Sequence, residues 1–140
     1  MKILTGLVVM MLVVSSTGFA EEIETEQAMK CLLGEARGEG IEGMTAVGEV
    51  LRRSPRVPFY GAKNIRNKGE RWYALEREKW VQLPKQLVEK AKEAWVISER
   101  SNITHGATNF ESVDFNVPYW AKDMKEVARV KKHIFYKKEV

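Results

Sequence analysis

In this 140-residue chain, the stretch Gly34-Glu35-Ala36-Arg37-Gly38-Glu39-Gly40 separates two segments with the pattern of buried helices. Apolar residues recur at helical spacing on both sides of it: Ala28, Cys31 and Leu32 before, and Met44, Val47, Val50 and Leu51 after. Glycine ends helices readily, so the pattern predicts one helix over Thr25–Ala36 and a second over about 42–53. The stretch itself becomes a tight junction between two buried helices.

Two carboxylates, Glu35 and Glu39, lie four residues apart at this junction. A carboxyl at the end of a buried helix is partly removed from water, which suits a group that must deliver a proton. The alternative for Glu35 is a solvated surface carboxylate paired with Arg37. Glu39 either assists Glu35 or pairs with Arg37, and we favour the pairing.

The amino terminus has the form of a secretory signal peptide. Lys2 precedes an apolar run over 3–14, and the small residues Gly18 and Ala20 follow. We expect cleavage before Glu21, which leaves 21–140 as the mature catalytic domain. The alternative is an uncleaved anchor, although the run is shorter than the roughly 20 residues of a membrane span. The sequence thus predicts an exported protein, periplasmic or extracellular at the cell wall.

Charge and length limit the class of partner. The formal net charge is +4, and four lysines crowd the carboxyl end: Lys131, Lys132, Lys137 and Lys138. This balance favours an anionic wall or membrane surface and does not by itself indicate nucleic acid. The mature length suits one compact domain, which we expect to be a monomer.

Cys31 is the only cysteine, so no internal disulfide is expected. Its position on the apolar face of the first helix predicts a core residue rather than a nucleophile. Neither His105 nor His133 has the spacing of a metal site, so we expect no metal and no cofactor.

The rest of the chain shows weaker patterns. Pro55 and Pro58 predict an extended loop, and the charged, weakly periodic segment 63–82 either packs over the core or lines a groove. Pro84 predicts the first turn of a third helix. Two short strands are predicted over 127–130 and 133–136. If Ile134 faces the core, His133 points outward or into the groove.

Three ordered blocks carry a resemblance to a known family. Glu35-Ala36-Arg37-Gly38-Glu39 with Glu42-Gly43-Met44-Thr45-Ala46-Val47-Gly48 resembles the opening motif of the SleB-type cell-wall hydrolases, the spore-cortex-lytic enzyme family. Gly106-Ala107-Thr108-Asn109-Phe110-Glu111 is similar to that family's Gly-Ala-Thr-His-aromatic block. Pro118-Tyr119-Trp120-Ala121, Met124 and His133-Ile134-Phe135-Tyr136 resemble its carboxyl-terminal signature.

The resemblance implies an α+β, mainly α, lysozyme-like single domain with a small β element near the carboxyl terminus. It also implies cleavage of the N-acetylmuramic acid to N-acetylglucosamine bond in peptidoglycan glycan strands. Glu35 matches the family's catalytic carboxylate, which acts as in lytic transglycosylases, first as acid and then as base. Such chemistry needs no second carboxylate, in contrast to most glycosidases.

Residues of the matching blocks are candidates for binding the glycan. They are Glu39, Thr108, Asn109, Phe110, Tyr119, Trp120, His133 and Tyr136. The aromatic rings offer stacking surfaces, and Thr108 and Asn109 offer hydrogen bonds to N-acetyl groups. The alternatives are core packing for the rings and turn formation for Thr108 and Asn109. Glu111 and Asp114 are the further carboxylates to consider as a base or nucleophile.

The blocks also depart from the family pattern. Asn109 stands where the family often has His, and Lys131 occupies a position that is commonly Gly. These departures bear on the substrate preference and leave the assignment of Glu35 untouched. Two other classes of protein also stay open: a non-catalytic, secreted peptidoglycan-binding or regulatory protein, and a basic exported protein that acts on membranes or another protein.

Overall fold

The computed structural model describes residues 23–55 and 60–138. It contains three α-helices, α1 (Thr25–Ala36), α2 (Gly40–Arg53) and α3 (Lys85–Ile97), and six strands, β1 (Ile65–Lys68), β2 (Arg71–Glu76), β3 (Lys79–Gln82), β4 (Asn109–Ser112), β5 (Met124–Val130) and β6 (His133–Lys138). Short 3₁₀ turns lie at Arg37–Glu39, Tyr60–Asn64 and Tyr119–Asp123. The predicted signal segment, 1–20, and Pro58 of the predicted extended loop lie outside the described residues.

The prediction of a mainly α, lysozyme-like fold with one small β element near the carboxyl terminus is wrong. The strands form two antiparallel three-stranded sheets, ordered β1-β2-β3 and β4-β6-β5. The first sheet occupies the segment 65–82, where charged residues alternate with Ile65, Trp72 and Ala74. Because only this inward set is buried, the strands have the two-residue period of a half-exposed sheet.

Helix α2 lies at the centre, because its segment 43–51 is buried on every side. One cluster joins α2 to α1, α3 and the inward residues of the first sheet. A second cluster packs Ala46 and Val50 against Val130 and Phe135 of the second sheet. The partly buried ring of Phe110 contacts both clusters. Phe110 thereby ties β4, an edge strand of the second sheet, to the helices.

Several predicted elements are confirmed. Helix α1 has the predicted bounds, α2 begins two residues earlier than predicted, and α3 starts directly after Pro84. The two predicted carboxyl-terminal strands are present and longer than expected, as β5 and β6. Cys31 is buried in the core, as expected. Within the described part of the chain, no helix is long and apolar enough to span a bilayer.

Candidate active site

Glu35 lies in the last turn of α1, and its carboxylate is held from outside the helix. The backbone N–H of Gly61 donates a hydrogen bond to Glu35 Oε1 at 2.7 Å. The side chain is neither fully exposed nor fully buried. A single fixed oxygen leaves Oε2 as the atom that can carry and transfer a proton.

The contact between Glu35 and Gly61 depends on two glycines. A Cβ atom on Gly34 would lie 2.2 Å from the carbonyl oxygen of Gly61, and one on Gly61 would lie 2.4 Å from that of Gly34. Real Cβ atoms do not approach an oxygen so closely. Glycine at both positions therefore lets the 3₁₀ turn Tyr60–Asn64 rest on the end of α1.

Burial raises the pKa of Cys31 to about 12. The charge of Glu35 also raises this pKa, whereas a hydrogen bond with Gln27 lowers it. The thiol is one helical turn before Glu35. A thiol with this pKa stays protonated at neutral pH, so Cys31 is inert as a nucleophile.

Glu39 does not pair with Arg37, contrary to the prediction. Its Oε1 accepts the backbone N–H of Lys132 at 2.9 Å and lies 2.9 Å from His133 Nδ1. Both side chains are almost enclosed, with 9% of Glu39 and 8% of His133 exposed. Arg37 instead reaches the carbonyl oxygen of Leu33 and the carboxylate of Glu76.

The predicted orientation of His133 is also wrong. Phe110 and Phe135 are direct partners across β4 and β6, and His133 shares their face of the sheet. This face packs against α2, so it is the core face. The His133 ring meets the Phe110 ring edge-on at 5.1 Å between centroids. His133 is therefore a buried partner of Glu39 and does not point outward.

The opposite face of this sheet carries a second group of candidates. Asn109 and Tyr136 are cross-strand partners there, and Trp120 meets Tyr136 edge-on at 5.4 Å. Thr108 Oγ1 lies 2.9 Å from Asn109 Oδ1, and the Thr108 N–H donates to the carbonyl of Tyr136. Burial raises the pKa of Tyr136. The charges of Glu126 and Glu111 raise it further, whereas the charge of Arg129 lowers it.

The structure thus places the candidates in separate groups. Glu39, Phe110 and His133 are joined on the core face, whereas Asn109, Trp120 and Tyr136 lie on the other. Thr108 directly precedes β4. Tyr119 is exposed, with Lys122 Nζ 4.8 Å from its ring centre. Glu111 accepts the N–H of its neighbour Ser112, and Asp114 lies on the exposed loop after β4.

Sequence reasoning missed Glu49, which fixes the loop before β4. Glu49 is buried in α2, and its carboxylate accepts hydrogen bonds from the hydroxyls of Ser101 and Thr104 and from the N–H groups of Ile103 and Thr104. Burial acts to raise the pKa of Glu49, but these hydrogen bonds outweigh it and lower the pKa. Glu49 is the only charged residue in the segment 43–51, and that was the available signal.

Arg53, one turn after Glu49, holds the same loop. Its guanidinium donates to Thr104 Oγ1 at 2.8 Å, to the Ala107 carbonyl at 2.9 Å and to Asn102 Oδ1 at 2.7 Å. The loop that leads into the block Thr108-Asn109-Phe110 is therefore fixed to α2.

The fold resembles a solved structure. The catalytic domain of the Bacillus cereus SleB protein aligns with a TM-score of 0.52 and 16% sequence identity, covering 86% of this chain and 97% of that domain. This chain has a fold similar to that of the SleB catalytic domain. No protein-family model matches the sequence, and a search of curated proteins finds no match. The likeness therefore lies in the fold.

Proposed function

We propose that this protein is an exported enzyme that cleaves the N-acetylmuramic acid to N-acetylglucosamine bond of peptidoglycan, with 21–140 as its catalytic domain. The observation that carries the proposal is the position of Glu35. It ends α1 in a SleB-like fold, with one carboxylate oxygen fixed by Gly61 and the side chain only partly enclosed. The order of the three sequence blocks that resemble the SleB-type hydrolases supports the same assignment.

The proposed reaction uses Glu35 twice. Protonated at Oε2, Glu35 gives its proton to the glycosidic oxygen as the bond from that oxygen to C1 of the muramic acid breaks. The carboxylate left behind then takes the proton from the 6-hydroxyl of the same sugar as O6 bonds to C1. The products are a free 4-hydroxyl on glucosamine and a 1,6-anhydro-muramic acid end, and Glu35 is protonated again.

The backbone N–H of Gly61 holds Glu35 in place during this reaction. It stays on Oε1 throughout, so it holds the side-chain rotamer and stabilises the carboxylate between the two proton transfers. A donor that is already in place costs no reorganisation during the reaction.

Glu39 acts in this proposal as a positioning residue. Its carboxylate is occupied by Lys132 N–H and His133, which fits the support of the junction better than attack on a sugar. We place glycan contacts on Thr108 and the exposed part of Phe110, and Asn109 accepts the hydrogen bond of the Thr108 hydroxyl. Phe110 touches His133, which in turn is bonded to Glu39, four residues after Glu35.

The test is a digest of purified peptidoglycan by the wild type and Glu35→Gln. Gln keeps the shape of the side chain but cannot transfer the proton, so cleavage should fall by at least about a hundredfold while the protein stays folded. Glu42→Gln, in the same motif but exposed, is the matched control and should cleave normally.

Mass spectrometry of the fragments tests the chemistry. Muropeptides should end in 1,6-anhydro-muramic acid. Reducing ends that incorporate oxygen from labelled water would replace the transglycosylase by a hydrolase and make Glu111 or Asp114 the next residue to test. Binding to the glycan with no cleavage would favour a non-catalytic binding protein.

A further inference from the structure

The segment 113–120, which follows β4 and ends inside the 3₁₀ turn Tyr119–Asp123, exposes apolar side chains to an unusual extent. Phe115 is 68% exposed, Val117 72% and Tyr119 82%, and Val113 is also exposed. Soluble monomers rarely leave neighbouring large apolar residues uncovered unless they bind something there. We call this segment the apolar loop.

The apolar loop is attached at both ends to the second sheet. At its start, the N–H of Val113 donates to the carbonyl of Lys132 at 2.8 Å. At its end, Trp120 packs edge-on against Tyr136, on the sheet face that points away from α2. Both ends of the loop are thus anchored on the second sheet, and Phe115, Val117 and Tyr119 are exposed between these anchors.

The surroundings of the apolar loop are basic. Over 111–138 the sequence has seven Lys or Arg residues and four Asp or Glu residues. Of the four acids, Glu126 is paired with Arg129 and Glu111 accepts a neighbouring backbone N–H, while Asp114 and Asp123 are exposed. The lysines of this region are all exposed: Lys122, Lys125, Lys131, Lys132, Lys137 and Lys138.

Two of these lysines are direct cross-strand partners. Lys125 on β5 faces Lys137 on β6, next to the place where the apolar loop rejoins the sheet. Like charges in directly opposite positions destabilise a sheet, and a bound anion relieves their repulsion. The charge pattern thus favours an anionic partner beside the apolar side chains.

We propose that the apolar loop inserts into the headgroup region of an anionic lipid bilayer, with the flanking lysines on the lipid phosphates. Valine side chains offer no flat face for a sugar ring, whereas an acyl boundary accepts valine and phenylalanine alike. Tyrosine and tryptophan are enriched at the membrane interface. The proposal concerns a surface of the fold and does not depend on catalysis by Glu35.

The experiment places an environment-sensitive fluorophore in the loop of the full chain. Asn116→Cys puts the label between Phe115 and Val117, and Glu99→Cys puts it at an exposed position beside Val96 and Ile97 after α3. Cys31 does not compete for the label because it is buried and its pKa is about 12. Because the amino-terminal apolar run is common to both variants, the comparison reports on the loop itself.

With vesicles of phosphatidylglycerol and phosphatidylcholine, the label at 116 should shift to shorter wavelength and the label at 99 should not. Adding Phe115→Ser and Val117→Ser to the 116-labelled chain should weaken the response by at least about tenfold in lipid concentration. Val96→Ser with Ile97→Ser should leave it unchanged. Lys125→Gln should weaken it by about fivefold at low salt.

Three results would overturn the proposal. They are an equal response at 116 and 99, an undiminished response after Phe115→Ser and Val117→Ser, and a shift that appears at high protein concentration without vesicles. The last would assign the loop to contact between two copies of the chain. Loss of vesicle binding leaves the cleavage of soluble glycan chains untouched, and Glu35→Gln should bind vesicles normally, so the two proposals fail separately.

Discussion

Gly34→Ala should damage stability and cleavage together, although alanine favours a helix. The added Cβ would lie 2.2 Å from the Gly61 carbonyl oxygen and 2.8 Å from the Ala62 nitrogen. Ordinary non-bonded contacts lie near 3.5 Å, so the 3₁₀ turn must retreat by about 1 Å. That displacement stretches the 2.7 Å bond from Gly61 to Glu35 beyond hydrogen-bonding distance.

The change in the free energy of unfolding of Gly34→Ala follows from two opposed effects. Overpacking against a backbone costs about 1–3 kcal/mol, and the helix propensity of alanine returns about 1 kcal/mol. We expect a net loss of about 1–2 kcal/mol in the free energy of unfolding, measured by urea denaturation. Cleavage of peptidoglycan should fall by about tenfold or more, because the fixed oxygen of Glu35 loses its donor.

Gly38→Ala is the matched control, four residues later and with no atom within 4 Å of its added Cβ. It should raise stability by about 0.4–1 kcal/mol through the unfolded chain and leave cleavage unchanged. If Gly34→Ala proved as stable and active as Gly38→Ala, the contact between α1 and the 3₁₀ turn would not support Glu35, and the reasoning would be refuted.

Three further predictions follow from the buried carboxylates. Glu49→Gln should destabilise the protein by about 3 kcal/mol at pH 7, because its amide cannot accept every donor of the 101–104 loop. Since the pKa of Glu49 in the folded protein lies below its ordinary 4.5, the wild type should lose this stability as the pH falls below about 4.5. Melting temperatures of Glu49→Gln, measured over the same pH range, should lack that part of the pH dependence. His133→Ala should cost about 2–4 kcal/mol, because it leaves a cavity beside Phe110 and removes one of the two partners of the enclosed Glu39 carboxylate, and an unchanged melting temperature would contradict the burial of the ring. Glu39→Gln should reduce cleavage by less than about tenfold, since its amide oxygen still accepts the Lys132 N–H; a loss equal to that of Glu35→Gln would exchange the roles of the two residues.

The helices could be predicted because their signals are local. The apolar stripe of α1 and the glycines after it mark that helix without help from the rest of the chain. The first sheet was missed because its strands are short and its second turn carries no turn residue. Arg77 and Glu78 both have positive φ there, at 49° and 68°, in positions where glycine or asparagine is usual. The pairing of β2 with β3 on either side of these exposed residues overrides the local preference at this turn.

The candidate site shows the same division. The helix-end position of Glu35 follows from local periodicity, whereas the partners of Glu39 do not. Glu39 is followed closely by Glu42 and preceded by Arg37, so local pairing was the natural expectation. The face of β6 that holds His133 was decided by Phe110 and Val130, its neighbours on other strands. Alternation along one strand gives two faces and does not say which one is buried.

The bonds that Glu39 makes also bear on the order in which the molecule folds. They join Glu39 to residues that follow it by 93 and 94 positions in the chain. Forming these bonds therefore costs more chain entropy than forming the local contacts of α1 and α2. We expect the junction beside Glu35 to stay loose until the β5-β6 hairpin has docked, and hydrogen exchange should show the Lys132 amide among the last to be protected during refolding. A newly made polypeptide would then carry Glu35, the proposed catalytic residue, without its finished surroundings, and the proposed cleavage would begin only once the final strands are in place.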